Sequence, residues 1–291
     1  MSQPALDRPV RNLAPYLAML AGAVAFTVMG ACAHGLRSRC DWQVAMIARA
    51  AIPLLLATGM ALSAKAKLVL FGPWNLWMRS IAGSLSMMGA FFAFTHLPIS
   101  QVLTLTNLYP IWVAVLSWPF LGKAPSLDVW LAAAIGVTGV VLIEQPEGEG
   151  TGYASIAALC SSLMSGFAMI GLHRLKQIDP RAIVAHFSLV SLLTALGALA
   201  VFDHSIALDG LADPISVLLL AGVGLSATIG QFLLTLAFTH GSPARVAVVG
   251  LVQVAFGMAC DVVLWGQPIG AWTLVGTALV VGPTAWVMLR K

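Results

Sequence analysis

The chain has 291 residues, 59% of them apolar and 9% charged, with 15 Lys and Arg against 11 Asp and Glu and a mean hydropathy of +0.93. A soluble domain has about 45–50% apolar and about 25% charged residues, so this composition excludes one and points to an integral membrane protein. The modest positive balance reads as a topology signal rather than a nucleic-acid patch, and four cysteines (Cys32, Cys40, Cys160, Cys260) without paired spacing predict neither a disulfide nor a metal site.

In chain order, Arg8 and Arg11 precede an apolar run in which Ala31-Cys32-Ala33 has the form of a signal-peptidase site. The run is longer than a leader's core of about 7–15 residues and close to the roughly 20 that span a bilayer, so it is expected to stay as a first helix. Charges, prolines and glycine-rich joints then divide the chain into apolar spans near 12–34, 42–63, 73–95, 99–120, 127–143, 152–173, 182–202, 214–238, 242–265 and 269–288. The second span holds Arg49, the one cation that reads as lying well inside a long apolar run. The third ends in Ala93-Phe94-Thr95-His96, which returns unchanged as Ala237-Phe238-Thr239-His240, 144 residues later, at the end of the eighth. Gly122 and Gly266, just after the fourth and ninth spans, keep the same offset. Between the fifth and sixth spans, Glu144-Gln145-Pro146-Glu147-Gly148-Glu149-Gly150 reads as a linker.

The expected fold is therefore an all-α polytopic membrane protein of ten helices, with residues 1–143 and 152–291 as two five-helix repeats and 144–151 between them. Five is odd, so the second repeat enters from the opposite face and the repeats are inverted, the usual geometry of alternating access. A cytoplasmic amino terminus puts Arg8, Arg11, Lys65, Lys67, Arg79, Lys123, Arg174, Lys176, Arg181, Arg245, Arg290 and Lys291 on one side, against Arg37 and Arg39 on the other. That asymmetry places both termini in the cytoplasm. Trp42, Trp74, Trp77, Trp118, Trp130, Trp265, Trp272 and Trp286 near span ends agree with it.

Arg79 at the start of the third span, the 93–98 joint, Asn107-Leu108-Tyr109-Pro110 and Phe120-Leu121-Gly122-Lys123 together resemble the drug/metabolite transporter superfamily, in its EamA-type ten-helix branch. The resemblance covers nearly the whole chain. Many relatives carry Gly-Glu where this chain has Gly122-Lys123 and Gly266-Gln267, so a role of that carboxylate does not transfer. The resemblance implies a carrier of small organic metabolites in the bacterial inner membrane, similar to exporters of amino acids, aromatic ones included.

The fourth span is the most polar, and on a helical wheel Gln101, Thr104, Tyr109 and Trp112 share one face, with Asn107 just beyond it. At the repeat offset Tyr109 corresponds to Gln253, and Met87 to Gln231. Thr104, Asn107, Tyr109, Trp112, Gln231 and Gln253 are thus candidate substrate-binding residues, the alternative for each being a bond between helices. Pro110 cannot donate to the Thr106 carbonyl, which frees an acceptor beside Asn107. Arg49, roughly 10 Å along its helix, either snorkels to the interface or guides a carboxylate, and Asp261 lies at a depth where it could pair with it. The histidines read as interfacial anchors or caps.

No Gly-x-x-x-x-Gly-Lys-Ser/Thr loop, zinc motif or acid cluster is found, so neither ATP hydrolysis nor catalysis is expected, and no cofactor is implied. The expected partners are a small-molecule substrate and the bilayer, with no nucleic acid, in a monomer or homodimer. An uptake carrier, a drug efflux pump and, from another class, a channel or an intramembrane enzyme are the rival readings.

Overall fold

The computed structural model describes residues 13–36, 39–40, 42–96, 99–145, 152–201, 213–266 and 270–290. They form twelve helices and no strand: α1 (Ala14–Leu36), α2 (Trp42–Ser63), α3 (Trp74–His96), α4 (Ile99–Thr106), α5 (Tyr109–Leu121), α6 (Leu127–Glu144), α7 (Gly152–His173), α8 (Pro180–Val201), α9 (Pro214–His240), α10 (Pro243–Gly250), α11 (Val252–Trp265) and α12 (Ala271–Leu289). Nine stretches of the described residues are long and apolar enough to cross a membrane, counting 102–121 and 243–264 as single spans. α3 matches them in length at 23 residues but carries Arg79, Ser80, Ser84 and Ser86 on its buried side. The chain is an all-α polytopic membrane protein.

Two of the ten expected spans are broken. α4 stops at Thr106, Asn107 and Leu108 make a turn, and Pro110 occupies the first turn of α5, where its missing N–H does no harm. α10 likewise stops at Gly250, and Leu251 joins it to α11. Both joints are held by tightened bonds to the third residue back, Leu108 N–H to Leu105 and Leu251 N–H to Val248. α4 and α10 are each eight residues long and start 144 residues apart. The left-handed glycines that end α5 and α11 are Gly122 (φ 69°) and Gly266 (φ 64°), the same distance apart. Only glycine adopts that conformation without strain, and each glycine's N–H closes the preceding turn, on the Trp118 and Val262 carbonyls.

The tightest helix pairings join the two parts of the chain: α1 with α9, α3 with α7, α2 with α8 and α6 with α12. α3 meets α7 and α8 through serines, with Ser84 on Ser191 at 2.9 Å and Ser86 on Ser165 at 2.7 Å. In hydrocarbon such hydroxyls have no water to turn to. Elsewhere they bond back along their own helix, as Thr228 does to Gly224 and Thr235 to Gln231. The largest apolar cluster contains Leu76, Val113, Ile170, Phe238, Val246 and Val287. α6 and α12 approach so closely that a Cβ at Gly139 would lie 2.6 Å from the Gly276 carbonyl oxygen.

At the start of α9, Asp213 caps the helix by accepting from Ile215 N–H and pairs with Arg39 at 2.5 Å. Partial desolvation pushes its pKa up, but the bonds from Ile215 and Ser216 and the Arg39 charge outweigh this, and the net shift is downward. What the pair contributes is present above the ordinary aspartate range and is lost as pH falls through the lowered value. With both side chains more than a third exposed, that contribution is small.

Gly139→Val is expected to lower stability by about 1–3 kcal/mol, because a backbone carbonyl cannot move aside for the added methyls. A thermal midpoint in detergent that equals the unaltered protein's would refute the close α6 to α12 contact.

Candidate functional site

At mid-depth α2, α3, α8 and α9 enclose a cavity of about 10 Å³, room for a single water. Its wall includes Arg49, Met87, Phe187, Ser188, Ser191 and Gln231. Arg49 is seven residues into α2 and Gln231 nine residues from the end of α9, each about 10–14 Å inside its helix. The Arg49 guanidinium meets two thioethers, donating from Nε to Met29 Sδ at 3.3 Å and from Nη1 to Met87 Sδ. Thioether sulfur is a weak acceptor, and among the described residues the guanidinium has no stronger one. No carboxylate among the described side chains pairs with Arg49.

A second cation stands behind the same wall. Arg79 is 2% exposed, donates from Nη2 to Gln231 Oε1 at 3.1 Å and lies 4.1 Å over the Phe187 ring. This corrects its expected place among the basic flanks: five residues after Trp74 it is already in the protein interior, and its Nε has no partner. Gly83, one turn further on, provides the room, since a Cβ there would overlap Arg79 Nη1 and come within 2.8 Å of the Phe187 ring. A buried charge in a membrane span is costly, on the order of 2.5–3.5 kcal/mol for arginine at a helix centre, and marks function by default. Here two such charges converge on one cavity through Met87, Phe187 and Gln231.

Next to Arg79, Ser80 bonds His186 Nδ1 at 2.7 Å, while His186 Nε2 lies 3.2 Å from the Leu70 carbonyl. A carbonyl can only accept, so Nε2 carries the proton and Ser80 donates to Nδ1. The Trp77 ring packs edge-on at 4.7 Å and fixes the imidazole plane. His186 is thus interior, not an interfacial anchor, and it ties α8 to the segment before α3.

Of the residues singled out in the sequence, Arg49 and Gln231 come together at this cavity. The others are placed elsewhere. Thr104 is buried with an unpartnered hydroxyl, and Asn107 turns its amide onto the Leu103 carbonyl at 2.8 Å. The Tyr109 hydroxyl donates to the Ala247 carbonyl at 3.1 Å, and Trp112 Nε1 to Ser162 at 2.9 Å. Gln253 is half-buried, and its carbonyl lies 3.5 Å from the Thr27 hydroxyl. The side chains of Asp261 and Gln101 are outside the described ones, so the expected Arg49 to Asp261 pair falls there too. Arg79, Met29, Phe187, Ser188 and Ser191 were not anticipated at the site. No signal in the sequence placed Arg79 there, since its distance from the start of the third span reads as a flank.

Residues 42–283 match the Triose-phosphate Transporter family. A riboflavin transporter of Rhizobium johnstonii is 24% identical over 97% of this chain and 93% of its own length. A pseudopaline exporter of Pseudomonas aeruginosa is 27% identical over 78% and 77%, and a probable transport protein of Saccharomyces cerevisiae 28% identical over 74% and 68%. A solved crystal structure superposes with a TM-score of 0.81 over 94% of this chain and 97% of that one, at 15% identity, which shows a shared fold.

Gly83→Ala is expected to push Arg79 off Gln231 and to destabilise by about 1–3 kcal/mol. Gly59→Ala, where a Cβ meets open space, serves as the control and should leave the thermal midpoint unchanged or slightly raised. Equal midpoints for both variants would contradict the fit of the guanidinium into the Gly83 notch.

Proposed function

The chain belongs to the Triose-phosphate Transporter family, and from that premise we propose that it is an alternating-access carrier of small organic metabolites bearing a carboxylate, amino acids foremost, working as an exporter in the bacterial inner membrane. Its substrate site is centred on the cavity between α2, α3, α8 and α9, which has room for a single water in this conformation and widens in another to admit the substrate. The observation that carries this reading is the pair of interior arginines, one held by Gln231 and Phe187 and the other by thioethers alone. Arg49 is the group with donors to spare at the cavity, and a carboxylate presents two oxygens in the geometry a guanidinium prefers. Gln231, Ser188 and Ser191 offer the polar contacts that an amino group needs, and Phe187 and Met87 an apolar wall for a side chain.

Two further features support the alternating-access part. The helices around the cavity come in equal number from either part of the chain, and the broken spans repeat at a fixed offset. Two inverted five-helix repeats, with both termini in the cytoplasm, account for both. An enzyme or a channel gains nothing from them.

Purified protein reconstituted in liposomes should show saturable counterflow of labelled amino acids. Arg49→Gln should lower apparent affinity by tenfold or more, about 1.4 kcal/mol or above, with the thermal midpoint retained or raised because an unpaired charge is removed. Saturable exchange of another metabolite but of no amino acid would overturn the substrate class, and ion current without saturation would overturn the carrier.

A further inference from the structure

The two broken spans pack on each other, and one side-chain hydrogen bond bridges them. Tyr109, the first residue of α5, donates its hydroxyl to the Ala247 carbonyl in α10, and α5 runs along α10. The ring enters a notch that exists only because position 250 is glycine: a Cβ there would overlap the Tyr109 hydroxyl and lie 2.8 Å from Met19 Cε. Arg174, just past α7, donates to the Phe120 carbonyl at the far end of α5, about 16 Å along the helix from Tyr109.

The repeat offset assigns each participant a counterpart. Tyr109 corresponds to Gln253, Ala247 to Leu103 and Gly250 to Thr106. In the described conformation the counterparts are not engaged with one another. The Leu103 carbonyl is taken by the Asn107 side chain at 2.8 Å, Thr106 bonds back to Val102 at 2.9 Å, and the Gln253 amide has no partner among the described residues. α4 packs on α7, α6 and α3, while α5 shares α7 and α6 and packs in addition on α10. The occupied carbonyl and the unpaired amide are complementary: a carbonyl accepts, a glutamine amide donates, and hydrocarbon leaves an unpaired amide unsatisfied.

We infer that Tyr109 and Gln253 are the two latches of the carrier: Tyr109 in the Gly250 notch closes one side, and in the opposite conformation Gln253 closes the other by donating to the Leu103 carbonyl as Asn107 releases it. The inference rests on the inverted-repeat carrier reading and adds which residues alternate and where. It separates these residues from the substrate cavity, whose wall includes neither of them. It also makes the two closures unequal. A phenol in a fitted notch buries far more apolar surface than a glutamine beside a threonine, so the Tyr109-closed state is the favoured one at rest.

The test uses the full chain with Cys32, Cys40, Cys160 and Cys260 replaced by serine, and a short bifunctional thiol reagent. Tyr109→Cys with Gly250→Cys should cross-link readily without substrate, and Gln253→Cys with Thr106→Cys only under an imposed substrate gradient. Each cross-link should abolish exchange, and each should leave a different membrane face open to an impermeant thiol reagent. Exchange by the cysteine-free parent checks the carrier reading separately: if the parent exchanges and the Gln253 and Thr106 pair never cross-links, the paired latches are wrong and the carrier stands. If the parent exchanges nothing, both fail. Gly250→Leu gives an independent reading through the notch. It should reduce exchange tenfold or more, and Tyr109→Ala in the same chain should restore it several-fold; no restoration, with both variants folded by thermal midpoint, overturns the notch.

Discussion

Hydrocarbon offers no hydrogen bonds, and this structure is organised around that deficit. Every polar group inside the bundle must find its partner in the protein or remain costly. Most find one locally, as the threonine and serine hydroxyls do on carbonyls one turn back. A second set bonds between helices: Ser84 to Ser191, Ser86 to Ser165, Ser80 to His186 and Trp112 to Ser162. All four link the first part of the chain to the second. Such bonds contribute modestly, about 0.6 kcal/mol each on average in membranes, so they set register more than strength. Among the described residues the buried side-chain atoms left without a partner are Gln43 Oε1 at the start of α2, Arg79 Nε and Thr104 Oγ1, and the last two fall where the functional reading is tied, at an interior arginine and a broken span.

The arginines differ in how tightly they are held. Arg79 has an amide acceptor, an aromatic face and a glycine notch cut to its shape, all within a few ångströms. Arg49 has two flexible methionines, residues that yield easily to a better partner. A rigid cation behind the wall keeps the potential of the cavity positive, while a loosely capped one is free to change partners. In the proposed carrier the two positions would divide between background field and direct contact with substrate.

The all-α fold and most span positions were legible in composition and hydropathy, because burying 20 apolar residues needs no tertiary information. The equal spacing of the later joints was legible as well, in the paired Ala-Phe-Thr-His segments and in Gly122 and Gly266. Depth was not. Arg79 reads as a flanking cation by its distance from the start of the third span, and only the α9 and α8 side chains that meet it place it inside. The break after Thr106 was half visible in Pro110, which signals a lost bond but not a stopped helix. In the ninth span Gly250 gives even less warning, since an isolated glycine in an apolar helix has many uses. The cavity's partners were hidden for a similar reason: Phe187, Ser188 and Met29 are unremarkable in sequence and acquire a role only by contact.

The glycine pair in α6 and α12 brings two backbones together with no side chains between them. Side chains in an interface act as deformable padding, and here only Val280 and Ile143 flank the contact. Any rocking of one helix against the other has its fulcrum at Gly139 and Gly276. From Gly276 to Leu289 is 13 residues, roughly 20 Å of lever. A tilt of about 10° at the fulcrum swings the far end of α12 by roughly 3 Å while the glycines themselves stay almost still. In the proposed carrier this backbone contact is the point about which α12 would turn on α6.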